Sequence, residues 1–275
     1  MAALRFSANL SWLFQEVPGL PARIEAAAGA GFRAVEVAWP YDSDVGLVRE
    51  ALGRNRVNLV LINTPPGDVK AGELGLGAVP ERQDEFRVGL HEAVKWASEL
   101  HCDRIHIMAG RVPPGSERQH VAKEMEETFI ENLKYAANVL SQAGITGLLE
   151  PINCRITDPR YFLNTPQHAA SILEKVGMSN LKLQMDLYHW QIMDGNLTRN
   201  IQTYLPLIGH VQIAQVPHRN EPDSHGELNY KYLLNLLQSL GYQGYVGCEY
   251  KPQGDTLTGL GWMETYNRNS GQCRS

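Results

Sequence analysis

Eight short runs rich in Val, Ile and Leu, separated by longer stretches of helical period, constrain this chain more than any other feature. The runs are Leu4–Leu10, Ala34–Ala38, Val57–Ile62, Arg104–Met108, Thr146–Glu150, Leu181–Asp186, His210–Ala214 and Tyr245–Glu249. Most are near-continuously apolar, as strands buried on both faces must be. Between them, Arg82–Leu100 places Phe86, Leu90, Ala93, Val94, Ala97 and Leu100 on one helical stripe. Glu117–Gln142 does the same with Val121, Met125, Phe129, Leu133, Ala136 and Leu140, then stops at Gly144. Shorter helices are predicted over Leu20–Ala30, Ser43–Arg54, Thr165–Val176, Asn196–Leu205 and Leu228–Leu240. Thr165-Pro166 supplies a capping hydroxyl followed by a first-turn proline. Strands joined through helices pair in parallel by right-handed crossovers, and eight such units close into a (β/α)8 TIM barrel. We therefore expect one α/β barrel domain over residues 1–275, with a flexible tail from about residue 268. An open doubly wound sheet shows the same alternation and differs only in closure.

Composition narrows the function. Lys and Arg total 25 against 30 for Asp and Glu, a net charge of -5, so no basic excess is available for a nucleic-acid backbone. No run approaches the ~18 apolar residues of a membrane span, and the N-terminus lacks a signal-peptide core, so no membrane association is expected. Cys102, Cys154, Cys248 and Cys273 are widely spaced and form no C-x-x-C pair, as expected of reduced thiols in a cytoplasmic protein. The sequence leaves a homo-oligomer open.

In a barrel the working residues lie at the C-terminal ends of the strands. Strand five ends in Glu150-Pro151-Ile152-Asn153 and strand six in Asp186-Leu187-Tyr188-His189. Strand seven carries His210-Val211-Gln212-Ile213-Ala214, and strand eight ends in Gly247-Cys248-Glu249-Tyr250. Four successive strands thus deliver Glu150, Asp186, Gln212 and Glu249. Taken singly, each carboxylate reads equally as a helix cap or an Arg partner. Together they would repel one another unless a cation intervenes. A hard, oxygen-only set favours a divalent ion, Mg2+ first and Mn2+ second, over a zinc site. Asn63–Pro80, rich in Gly and Pro, reads either as a lid over this face or as a solvated loop.

Those four segments, with Phe6-Ser7-Ala8-Asn9-Leu10-Ser11 and Arg104-Ile105-His106-Ile107-Met108-Ala109-Gly110, resemble the hydroxypyruvate isomerase family of the xylose-isomerase-like barrels over nearly the whole chain. The resemblance implies interconversion of hydroxypyruvate and 2-hydroxy-3-oxopropanoate. It further implies that Glu150 and Glu249 are the catalytic carboxylates, that Asp186 and Gln212 complete a metal shell with them, and that His189 contacts substrate. Related ketose epimerases carry His where this chain has Gln212.

The residues support such chemistry independently. Moving a carbonyl by one carbon requires a base for one carbon-bound proton and an acid for the neighbouring carbon, and two glutamates suffice, through an enediolate. Arg219 could clamp the carboxylate of a small hydroxy-oxo acid in two-pronged fashion, or pair with Glu221 at the surface. His106 and Lys251 read as packed and solvated residues, and Cys248 as packing. Gly29-Ala30-Gly31-Phe32-Arg33-Ala34 fits a dinucleotide fingerprint but ends a helix and enters a strand, the wrong order, so no organic cofactor is expected. Three rival readings use the same barrel: an isomerase or epimerase of a longer sugar or oxo-tetronate, a metal-dependent endonuclease, and a binding module without catalysis.

Overall fold

Eight parallel strands pair in chain order and close, β8 (Tyr245–Cys248) returning to β1 (Arg5–Asn9). The others are β2 (Ala34–Glu36), β3 (Asn58–Asn63), β4 (Arg104–His106), β5 (Thr146–Leu149), β6 (Leu181–Asp186) and β7 (Ile208–Ile213). The coordinates are a computed structural model that describes residues 3–264 and 266. Closure excludes the open sheet. The expected tail from residue 268, and Cys273, lie outside the described residues.

The outer layer comprises α1 (Leu20–Gly29), α2 (Val45–Asn55), α3 (Gln83–Glu99), α4 (Arg118–Gln142), α5 (Pro166–Val176), α6 (Leu187–Met193), α7 (Leu197–Tyr204) and α8 (Tyr230–Ser239). The two long helices bury the stripes that the spacing predicts, Phe86, Leu90, Ala93 and Ala97 on α3 and Met125, Phe129, Leu133, Ala136 and Leu140 on α4. Each large apolar side chain so buried contributes roughly 1.5–3 kcal/mol. Helix α5 begins where Thr165 Oγ1 accepts from the His168 N–H, and ends on Gly177 at φ 70°, a left-handed turn that glycine takes without strain. Helix α2 is capped by Asp44, one residue beyond the expected start, whose carboxylate accepts from the Leu47 N–H. Gly31, at φ 97°, sits between α1 and β2, so the glycine pair there ends a helix as the sequence order required.

Barrel interiors are usually filled by Val, Ile and Leu. Here the inward positions near the site are polar. Ser7 and Asn9 of β1, Glu36 of β2, and His210 and Gln212 of β7 meet in one hydrogen-bonded group, and Gln184 of β6 joins it through Gln212. Gly247 of β8 makes room for it, since a Cβ there would lie 2.4 Å from the Glu36 carboxylate oxygens.

Asn63–Pro80 is solvated over Gly67–Ala71 but fixed beyond it. Gly77 N–H and Ala78 N–H donate to the carbonyls of Met108 and Ala109 after β4, at 3.0 and 2.6 Å. Arg111, on that second loop, holds Asp158 of the β5 loop at 2.6 Å and the Gly72 carbonyl at 2.7 Å. Loops after three successive strands are thereby locked into one rim.

Candidate active site

Asp186 ends β6 and uses its two oxygens separately. Oδ1 caps α6 by accepting from the Tyr188 N–H at 2.8 Å, while Oδ2 faces the barrel mouth, 3.3 Å from Arg219 Nη2 and 3.5 Å from His189 Nε2. Helix α6 itself was absent from the sequence reading, which placed only Asn196–Leu205 in this stretch. It starts with no intervening loop, and its one signal is Asp186 in the cap position. Capping and Arg pairing, the two bland readings of a strand-end carboxylate, thus both hold for Asp186, alongside its place at the mouth.

Glu150 follows β5 and is bracketed by two imidazoles, with His189 Nε2 3.7 Å from Oε1 and His106 Nδ1 3.4 Å from Oε2. Glu249 follows β8; Asn9 Nδ2 donates to its Oε1 at 3.1 Å and Arg219 Nη2 reaches its Oε2 at 2.5 Å. Arg219 does not pair with Glu221 at the surface. Glu221 is buried and accepts from the Gln253 N–H instead. The Arg219 guanidinium lies over the Trp12 ring at 4.5 Å and the Tyr188 ring at 4.9 Å, on a backbone held left-handed at φ 58°. Such backbone strain in a non-glycine residue persists where the surroundings fix it, commonly at functional sites. Two backbone bonds fix it here: Arg219 N–H to the Gln215 carbonyl and Lys251 N–H to the Arg219 carbonyl, both 2.7 Å.

Gln212 is oriented from below. Its Nε2 donates to Glu36 Oε1 and its Oε1 accepts from Gln184 Nε2, each at 2.7 Å, which leaves one lone pair of the amide oxygen unused. Glu36 went unnoticed in the sequence. It is fully buried; burial alone would raise its pKa, but the charge of His210 and hydrogen bonds from His210, Gln212 and Ser7 together hold it below the usual carboxylate range. Asn9 Nδ2 bridges this anion to Glu249.

The three carboxyls at the mouth shift the other way. Burial first, then the charges of Glu249 and Asp186, push Glu150 well above its ordinary pKa. Burial raises Asp186 against the opposing pull of Arg219. Glu249 is raised to about 8 by burial, with Arg219 opposing and Asp186 and Glu36 adding to the rise. The mouth opens at Arg219 and Glu249, whose side chains are 11% and 15% exposed against 6% for Glu150 and 0% for Asp186.

Both histidines are neutral. Burial, then the charges of Arg219 and His106, lower His189 well below its ordinary value, and burial lowers His106 to about 3. The His189 tautomer follows from its partners: the backbone N–H of Asn153 and its side-chain amide both point at Nδ1, at 3.3 and 2.7 Å. Nε2 therefore carries the proton and donates toward Glu150 and Asp186. His106 is packed as the sequence suggests and also faces Glu150, and neither of its ring nitrogens has a hydrogen-bond partner among the described residues. Lys251 is exposed, and Cys248 is buried with its thiol pKa raised by that burial, as packing residues are.

Ligand atoms of Glu150, Asp186 and His189 lie within 4.8 Å of one another, a spacing that a single divalent ion can bridge. Because His189 Nε2 bears the proton, the oxygens are the fitting donors, and Glu150 Oε1 is buried with no hydrogen-bond partner among the described residues. Carboxyls that hold protons must release them to bind a metal. Mn2+ binding near pH 7 is accordingly expected to expel protons, and apparent affinity to rise with pH through about 8, where Glu249 ionises. Calorimetry in buffers of differing ionisation enthalpy checks this, and pH-independent binding would contradict it.

With fold and site in view, the comparisons with known proteins are decisive. The family described as xylose isomerase-like TIM barrel matches residues 24–266. The chain belongs to that family. A Xenopus laevis protein named "Putative hydroxypyruvate isomerase" is 75% identical over 266 residues, 97% of each chain. The hydroxypyruvate isomerase of Escherichia coli is 44% identical over 263 residues, 96% of this chain and 99% of its own. A 2-oxo-tetronate isomerase of Cupriavidus necator is also 44% identical, over 262 residues that make up 95% of this chain and 98% of its own. A Brucella melitensis crystal structure titled as an AP endonuclease of family 2 superposes with a TM-score of 0.90 at 46% identity, covering 96% of this chain and 99% of that one. This chain is thus an isomerase-family barrel. Among the described residues no helix is long and apolar enough to cross a membrane.

Proposed function

We propose that this protein interconverts hydroxypyruvate and 2-hydroxy-3-oxopropanoate in the cytoplasm, by proton transfer between carbons C3 and C2. The observation that carries the reading is the pair Glu150 and Glu249, two buried carboxyls of raised proton affinity at one mouth, with Arg219 and the His189 Nε2–H beside them. Proton affinities near the working pH suit groups that must both take and give a proton. One glutamate removes a proton from C3, the electron pair forms the C2–C3 double bond of an enediolate, and the other glutamate delivers a proton to C2. The oxygen on C3 gives up its proton and becomes the aldehyde, while the oxygen on C2 gains one. His189, a neutral donor, hydrogen-bonds a reacting oxygen, and Arg219 meets the substrate carboxylate, which a planar guanidinium suits. Asp186 and Gln212 with the two glutamates would hold a divalent ion, Mg2+ or Mn2+, which supplies Lewis-acid stabilisation of enediolate charge. The net charge of -5 argues against a nucleic-acid substrate.

A four-carbon substrate is the second reading, because the 2-oxo-tetronate isomerase of Cupriavidus necator matches this chain at the same 44% identity as the hydroxypyruvate isomerase of Escherichia coli. Steady-state turnover of both compounds by one preparation separates them. The first reading predicts a higher kcat/KM for hydroxypyruvate; a higher value for 2-oxo-tetronate overturns it.

A further inference from the structure

We propose that His106 is the positioning residue for Glu150, tying one oxygen of that carboxyl so that the other is presented to the reacting carbon. The inference rests on Glu150 being one of the two proton-transfer groups. Strands β4 and β5 run side by side with His106 opposite Leu148, so Glu150, two residues beyond Leu148, leaves on the same inward face one step nearer the mouth. That register sets His106 Nδ1 3.4 Å from Glu150 Oε2.

The imidazole is 1% exposed, and among the described residues neither nitrogen has another hydrogen-bond partner. A buried polar nitrogen left in that state is costly, whereas an apolar side chain of similar size would fill the same place without penalty. The carboxyl that it faces accounts for Nδ1. Hydrogen bonds of catalytic groups are often long before substrate binds and tighten in the reacting complex, and a movement of about half an ångström makes this one good. His106 then holds Oε2, while Oε1, 3.7 Å from His189 Nε2, stays free to face the reacting carbon. Without His106 the carboxyl can rotate, and its productive orientation becomes a fraction of the population.

The test compares His106→Leu with His106→Asn, whose amide nitrogen can occupy the place of Nδ1. Leu is expected to lower kcat about 10- to 100-fold with KM within about twofold, the effect of losing one hydrogen bond to a charged group. Asn is expected to restore most of that loss. Thermal melting should show the Leu protein at least as stable as the wild type, because an unpartnered buried imidazole is removed. A readout independent of substrate is the 15N resonance of His106 Nδ1, assigned by its loss in His106→Leu and expected to shift in Glu150→Gln. Wild-type kcat in the Leu variant, equal impairment by Leu and Asn, a raised KM at unchanged kcat, or a 15N resonance blind to Glu150→Gln each overturns the proposal. If the wild-type protein turns over neither hydroxypyruvate nor 2-oxo-tetronate, the functional reading falls, and the 15N shift alone decides the pairing of His106 with Glu150.

Discussion

Glu150→Gln and Glu249→Gln are each expected to lower turnover of hydroxypyruvate by about 10²–10⁴-fold, the range that a positioned acid or base supplies, while the protein stays folded. Glutamine keeps the shape and the hydrogen-bonding reach but cannot carry the proton. Folding should survive because the native carboxyls are not stabilising where they sit: burial and mutual repulsion raise Glu150 and Glu249, so replacing either charge relieves strain. In the Glu249 variant Arg219 retains Asp186, and Asn9 retains a carbonyl acceptor. Steady-state kinetics and thermal melts on the same preparations check both halves. Near-normal turnover in either variant contradicts the two-carboxylate scheme, and unfolding contradicts the electrostatic account of the mouth.

Glu36→Leu is expected to do the opposite, unfolding the barrel more than it alters chemistry directly. Glu36 and His210 form a fully buried pair at 2.8 Å, and removing one partner of such a pair costs about 3–5 kcal/mol because the other is left uncompensated. Ser7, Asn9 and Gln212 lose a shared acceptor as well. The sign with pH follows from the direction of the shift. A carboxylate whose folded pKa lies below its ordinary value contributes stability that is present above that ordinary value, near 4.5, and lost as pH falls through the folded pKa. Urea titrations from neutral to acid pH should therefore show the wild type losing an increment of stability that the variant never had. Equal stability of the two proteins at pH 7 would remove Glu36 from the account.

The contrast between these two predictions also explains what was legible in the sequence. Strand period and strand-end position located Glu150, Asp186, Gln212 and Glu249, because a carboxylate closing an apolar run is conspicuous by its cost. The same argument applied to Ala34-Val35-Glu36-Val37-Ala38 would have found Glu36, a charge inside an apolar strand rather than after it. His106 was passed over for a related reason: one imidazole in an apolar strand is ordinarily packed, and only the β4–β5 register shows what it faces. Arg219 was identified as a carboxylate clamp, but its contacts with Asp186 and Glu249 span 33 and 30 residues and exist only once the barrel closes. Helix α6 is hidden in the sequence because the run Leu187–Met193 continues the apolar character of β6, so no change of composition marks the boundary, and a possible cap at Asp186 does not by itself announce a helix. The Asn63–Pro80 loop reads as a lid or a solvated loop from its Gly and Pro content, yet its fixation comes from backbone bonds to Met108 and Ala109, which composition does not encode.

The central claim is that two glutamates of this chain shuttle a carbon-bound proton of hydroxypyruvate. Proton NMR of the metal-replete protein with hydroxypyruvate in deuterated water, with Glu249→Gln alongside, tests it most directly. The account predicts loss of the C3 proton signal, appearance of the isomeric aldehyde carrying deuterium at C2, and no aldehyde beyond background in the variant. Persistence of the C3 signal with wild-type protein, or aldehyde formed equally in Glu249→Gln, would contradict it.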